Sequence, residues 1–190
     1  MIPRLIVVPL MDAAEAARWV TPEESAAAVA YGSGQRCRES LTWRAVVRRE
    51  LGRNIQIGYN EVGAPRIANS DVYLSVAHCR DWVAVCFSDA PCAVDIESES
   101  RDFSRVVPRY MTPAEQCLST DPLWPAVVWC AKEALYKLSG RTGLGMLDDL
   151  RVVGGDFQAG FLLGRIQNED GEPIRLSVRR EGGCILVYVL

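Results

Sequence analysis

The sequence predicts an α+β fold in which each half of the chain runs from an apolar strand through helices to antiparallel strands. Three observations predict it. Helical periodicity fills the middle of each half, at Gln35–Leu51 and Ala126–Ser139; period-two alternation marks short apolar runs on either side; and turn pairs such as Gly154-Gly155 and Gly182-Gly183 separate the runs of the tail.

The opening run MIPRLIVVPLM is apolar but short, is broken by Pro9 and meets Asp12 at once, so it reads as a first strand rather than a targeting segment. A helix is expected over Ala13–Val20, and another over Pro22–Ala30 with Thr21 as its cap and Glu24 closing a capping box. Tyr31-Gly32-Ser33-Gly34 interrupts the pattern. The helix Gln35–Leu51 then places Leu41, Ala45, Val46 and Leu51 toward a core and arginines elsewhere, and Gly52 ends it. A strand at Ile55–Tyr59, a turn at Gly63-Ala64-Pro65 and the apolar segment Tyr73–Phe87 complete the first half.

Ser88-Asp89-Ala90-Pro91 is a turn, which divides the chain into residues 1–91 and 92–190. Helical patterns are expected at Phe103–Tyr110 and Ala114–Leu118, the second capped by Thr112 with Pro113 in its first turn. The long helix follows and stops at Gly140. Strands at Leu150–Val153, Phe161–Ile166, Ile174–Arg179 and Cys184–Val189 close the chain, with turns at Gly154-Gly155, Asp170-Gly171 and Gly182-Gly183.

Two stretches of the second half carry chemistry. In AVDIE, Ala93–Glu97, Val94 and Ile96 alternate with Asp95 and Glu97, so both carboxylates point to one side of a strand. Like charges so placed repel, and a hard divalent cation is the simplest reason to keep them together. On the long helix, Trp129, Glu133 and Lys137 share a face opposite Val127, Ala131, Ala134, Leu135 and Leu138. Glu133 and Lys137 are at the spacing of an ordinary surface pair worth a few tenths of a kcal/mol. Beside Asp95 and Glu97, however, Glu133 supplies the third carboxylate of a metal site.

With 190 residues, 49% hydrophobic and 24% charged, the chain is large enough to bury a core. A net charge of −3 gives no overall basic field and argues against a general nucleic-acid binder. Seven cysteines without a C-x-x-C spacing and a single histidine leave little for a zinc site. They read as reduced, mostly buried thiols of a cytoplasmic protein, and nothing is long and apolar enough to span a membrane.

The run VDIE together with Trp129, Lys132, Glu133 and Lys137, spaced W-x-x-K-E-x-x-x-K, resembles the signature of the 4′-phosphopantetheinyl transferases, in particular their larger, peptide- and polyketide-synthetase-activating type. Both motifs are complete. A first motif of that family, G-K-P followed by a strand ending N-x-S-H-S, is matched by His78, Trp82 and the VAV after it. Ala64 stands where the lysine is usual, Ser75 for the asparagine, Ala77 for the serine and Cys79 for the second serine.

The resemblance implies two similar subdomains with pseudo-twofold symmetry and a monomer. It implies transfer of phosphopantetheine from coenzyme A to a serine of an apo acyl or peptidyl carrier protein. Asp95, Glu97 and Glu133 would hold Mg²⁺; Glu133 and Lys137 would be catalytic, Glu133 as proton acceptor, directly or through a metal-bound water, and Lys137 as the charge facing the attacked phosphate. Arg44 and His78 would meet the 3′-phosphate of coenzyme A, with Arg66 or Arg80 compensating for the missing lysine and hydroxyl and Arg36, Arg66 or Arg80 able to replace Arg44 or His78. Lys132 would lie on the cofactor- or carrier-facing side. The altered first motif leaves open a second reading, a relative that binds coenzyme A or a carrier without transferring anything.

Overall fold

A computed structural model describes residues 3–167 and 171–190. Met1 and Ile2 of the expected opening strand, and Asp170 of the expected Asp170-Gly171 turn, lie outside them. The chain divides into two compact units, Met1–Ala90 with Leu190, and Pro91–Val189. Both are α+β, and every strand pair described is antiparallel.

In the first unit, β1 (Arg4–Pro9), β5 (Trp82–Ser88) and β4 (Tyr73–Cys79) form a three-stranded sheet in the order β1-β5-β4. The segment Tyr73–Phe87 is thus a hairpin, with Arg80 at its tip in a positive-φ conformation of 39°. Helix α1 (Ala13–Ala17) is shorter than expected. Helix α2 (Pro22–Val29) has the expected box, the Thr21 hydroxyl accepting from the Glu24 amide and the Glu24 carboxylate from the Thr21 amide. The long α3 (Gly34–Leu51) is capped by Ser33 and packs Leu41, Val46 and Val47 into one core with Val83, Val85 and Phe87. A small ladder of β2 (Ile57–Tyr59) and β3 (Pro65–Ile67) places Pro65 at the start of a strand, a position where proline's missing N–H costs the ladder least.

The second unit is a five-stranded sheet, β6 (Ala93–Ser98), β10 (Cys184–Val189), β9 (Ile174–Glu181), β8 (Phe161–Ile166) and β7 (Leu150–Asp156), in that spatial order. Helix α5 (Trp124–Ser139) lies on one face and buries Val127, Ala131, Ala134 and Leu135 against Leu150, Leu162, Leu176 and Ile185. Gly164 in β8 makes this possible, since a Cβ there would stand 2.7 Å from Leu135 Cδ1. Gly140, at φ 59°, ends the helix in the left-handed conformation that glycine adopts without strain.

Two expectations fail in this unit. The helix expected at Phe103–Tyr110 is a single 3-10 turn, Val107–Arg109, because Pro108 removes an amide donor from its middle. Gly154 and Gly155 are not a turn but part of β7, where the register with β8 shifts between Val152 and Gly154; the chain reverses at Phe157–Gly160 instead. Helix α4 (Pro113–Gln116) is present with Thr112 as cap.

Candidate active site

Strand β6 positions the acids. Its register pairs Asp95 with Val187 and Glu97 with Ile185, and these partners belong to the core under α5, so both carboxylates rise on the helix side. Lys137 does not pair with Glu133, its neighbour one turn back. Its ammonium donates to Asp95 Oδ1 at 2.8 Å and to the Val94 carbonyl at 2.9 Å, tying the helix to the strand. Asp95 is buried, and its Oδ2 has no hydrogen-bond partner. Such an orphaned oxygen costs about 1–3 kcal/mol unless something else satisfies it.

The neighbouring acids report a shortage of positive charge. Burial raises the Glu133 carboxyl above its ordinary range, Asp95 and Glu97 add to the rise, and Lys137 and Arg101 offset part of it. Glu97 is also raised, by burial first and by Asp95, against the ion pair it makes with Arg101. Beneath them the buried Cys130 thiol is pushed well above its usual value by burial and then by the charges of Asp95 and Glu97; it donates to the Ile185 carbonyl. Asp95 adds to the rise of both Glu97 and Glu133, so the three carboxylates are close in space although Glu133 is distant in sequence.

These donors fit a hard divalent cation in kind: carboxylate oxygens, one of them buried and unsatisfied. In placement they are not gathered as ligands. Among the described residues no three His, Cys, Asp or Glu side chains stand in a metal-holding group. Two of the three acids already carry a cation, Lys137 on Asp95 and Arg101 on Glu97.

Lys132 lies apart from this cluster. Its side chain is 0% exposed, and its ammonium donates to the carbonyls of Tyr110 at 2.6 Å and Met146 at 2.9 Å and pairs with Glu115 at 2.8 Å. All three of its protons are used inside the core, so it presents nothing to a cofactor or a carrier surface. Glu115 is equally committed. Burial alone would raise it, but Lys132 and the amides of Thr112 and Val152 outweigh burial and hold it below the usual carboxylate range. Sequence reasoning missed Glu115, although the spacing T-x-x-E after Met111 was its signal.

Trp129 is half-buried in an aromatic group, edge-on to Tyr110 at 5.1 Å between centroids and tilted against Phe103 at 6.0 Å. Arg101 stacks over Phe103 and Trp129, at 4.7 and 5.1 Å. Arg101 was also missed; its position four residues after Glu97 was the available signal.

In the first unit, Arg44 and His78 line one pocket of about 340 Å³ together with Arg36, Glu39, Ser40 and Tyr59. Arg44 is buried on α3, donates from Nη1 to the Ser40 carbonyl and hydroxyl at 2.9 and 2.6 Å and from Nη2 to the Tyr59 hydroxyl at 2.6 Å, and stacks on Trp43. His78 is half-exposed, with Nδ1 3.2 Å from Glu39. Ala77, where a serine would be usual in the resembling family, is buried in β4, and Ala64 closes the turn begun by Asn60.

Residues 91–178 match the family model of the 4′-phosphopantetheinyl transferase superfamily. That stretch contains Asp95, Glu97, Glu133 and Lys137; Arg44 and His78 lie outside it. No curated protein matches the chain. Among the described residues no helix is long and apolar enough to cross a membrane.

Proposed function

We propose that this protein is a Mg²⁺-dependent 4′-phosphopantetheinyl transferase of the larger type, moving phosphopantetheine from coenzyme A to a serine hydroxyl of an apo carrier protein. The observation that carries the reading is the undercompensated cluster of Asp95, Glu97 and Glu133 around Lys137, within the stretch that matches the superfamily.

Phosphoryl transfer is mainly a matter of positioning and charge stabilisation. A Mg²⁺ ion, when bound, neutralises charge on the pyrophosphate of coenzyme A. Asp95, Glu97 and Glu133 would supply its oxygen donors. Lys137, which holds Asp95, would supply the positive charge beside the phosphate under attack. Glu133, directly or through a water, would take the serine proton. In the first unit, Arg44 and His78 would meet the 3′-phosphate; Arg44 keeps one Nη2 proton beyond those bound to Ser40 and Tyr59, while its Nε faces Glu24 at 3.7 Å. The products are the phosphopantetheinylated serine and adenosine 3′,5′-bisphosphate.

Intact mass of candidate apo-carriers incubated with the protein, coenzyme A and Mg²⁺ tests this directly. A carrier should gain one phosphopantetheine with the unaltered protein and not with Asp95→Ala. Full transfer by Asp95→Ala would sink the assignment of the site. Binding of coenzyme A without mass gain on any carrier would favour the non-transferring relative.

A further inference from the structure

Arg101 already occupies one of the three acids with a guanidinium that is held in place on several sides. Its backbone is fixed by a tight turn: the Arg101 amide donates to the Ser98 carbonyl at 3.1 Å and the Ser100 amide to the Ser98 hydroxyl at 3.2 Å. Glu99, inside the same turn, takes two hydrogen bonds from Arg180 at 2.7 and 2.6 Å. From this base the side chain pairs with Glu97 and stacks over Phe103 and Trp129, rings that pack on Tyr110. A planar guanidinium is suited to doing both at once, and the stacking reduces the entropy lost in forming the ion pair.

Arg101 Nη1 engages Glu97 Oε1, and a lone pair so engaged is not at the same time available to a metal ion. We propose that Arg101 is the resident counter-cation of Glu97 and competes with the divalent ion for that carboxylate, so that loading the site opens the Arg101–Glu97 pair. The inference rests on the assignment of Asp95, Glu97 and Glu133 as metal ligands. It accounts for Glu97 and Glu133 both lying close to Asp95 while, among the described residues, the three are not gathered in a metal-holding group. Because Arg101 lies against Trp129, opening the pair alters the surroundings of that indole, which makes Trp129 an optical reporter of loading.

The test is Mg²⁺ titration of the metal-free protein, by calorimetry and by tryptophan emission. Arg101→Met is a suitable variant because the side chain is 40% exposed. It should bind Mg²⁺ about fivefold more tightly than the unaltered protein, the scale expected for loss of a half-exposed competing pair. Arg101→Lys, which keeps the charge without the flat stacking surface, should fall between. The Mg²⁺-dependent emission change should be present in the unaltered protein and absent in Trp129→Phe and Arg101→Met. Equal or weaker affinity in Arg101→Met, with binding abolished in Asp95→Ala, would overturn this inference and leave the carboxylate assignment standing. Absence of Mg²⁺ binding in both the unaltered protein and Arg101→Met would overturn the two together.

Discussion

Lys132 and Lys137 lie five residues apart on α5, and each reaches an acid on another element, yet their surroundings are opposite. Lys132 and Glu115 are closed: every proton of the ammonium and both oxygens of the carboxylate are bonded inside the core. Lys137 and Asp95 are open, with the lysine side chain 27% exposed, one Asp95 oxygen unsatisfied, and two further acids raised above their ordinary range nearby. A saturated pair holds structure and has nothing left to offer. An unsaturated cluster retains free energy that a ligand can release, and the difference separates the two lysines of one motif by role.

The contrast should be largest in stability. Lys132→Ala leaves Glu115 buried without its cation and should cost about 3–5 kcal/mol, read as a fall in the urea midpoint. Lys137→Ala removes a partly buried pair whose lysine still reaches water and should cost less, about 1–2 kcal/mol by the same measure. Its main effect should be on transfer, about 10²–10³ in rate, the scale of removing one preorganised donor to a developing charge. Equal stability losses in the two variants would erase the distinction between closed and open.

The two kinds of acid should also respond to pH with opposite sign. Glu115 is depressed in the folded state, so its contribution is present above the unfolded value of about 4.3 and is lost as pH falls through its folded value. Glu133 is raised, so it costs nothing below about 4.3 and its penalty is complete once pH has risen through its folded value. Glu133→Gln should therefore stabilise the metal-free protein at pH 7 by about 0.5–1 kcal/mol, with no gain at pH 4. A gain independent of pH would point to packing rather than charge.

Much of this site was legible in the sequence because it depends on short periods. Alternation in AVDIE put both acids of β6 on one side, and the spacing of Glu133 and Lys137 put them on one helix face. The depth of Lys132 was equally available. At 100° per residue it lies about 40° from Val128 and about 60° from Leu135, both fully buried, so the wheel puts it at the edge of the core. The partner of Lys137 could not be read that way. It is set by how α5 lies across β6, a tertiary fact, and helical spacing alone favoured Glu133. The segment Phe103–Tyr110 has helical periodicity but forms only a 3-10 turn, because Pro108 interrupts it. Gly154 and Gly155 read as a turn because a bulge and a turn call for the same residues.

The central claim is that the acids around Lys137 are kept under mutual repulsion for a divalent cation. Unfolding free energies of the unaltered protein and Glu133→Gln, each measured with and without Mg²⁺ at pH 7, test it most directly, because a ligand stabilises a fold only in proportion to its binding. The account predicts that the order reverses: Glu133→Gln is the more stable protein without Mg²⁺, and the unaltered protein is the more stable with it. The same order under both conditions would contradict the claim.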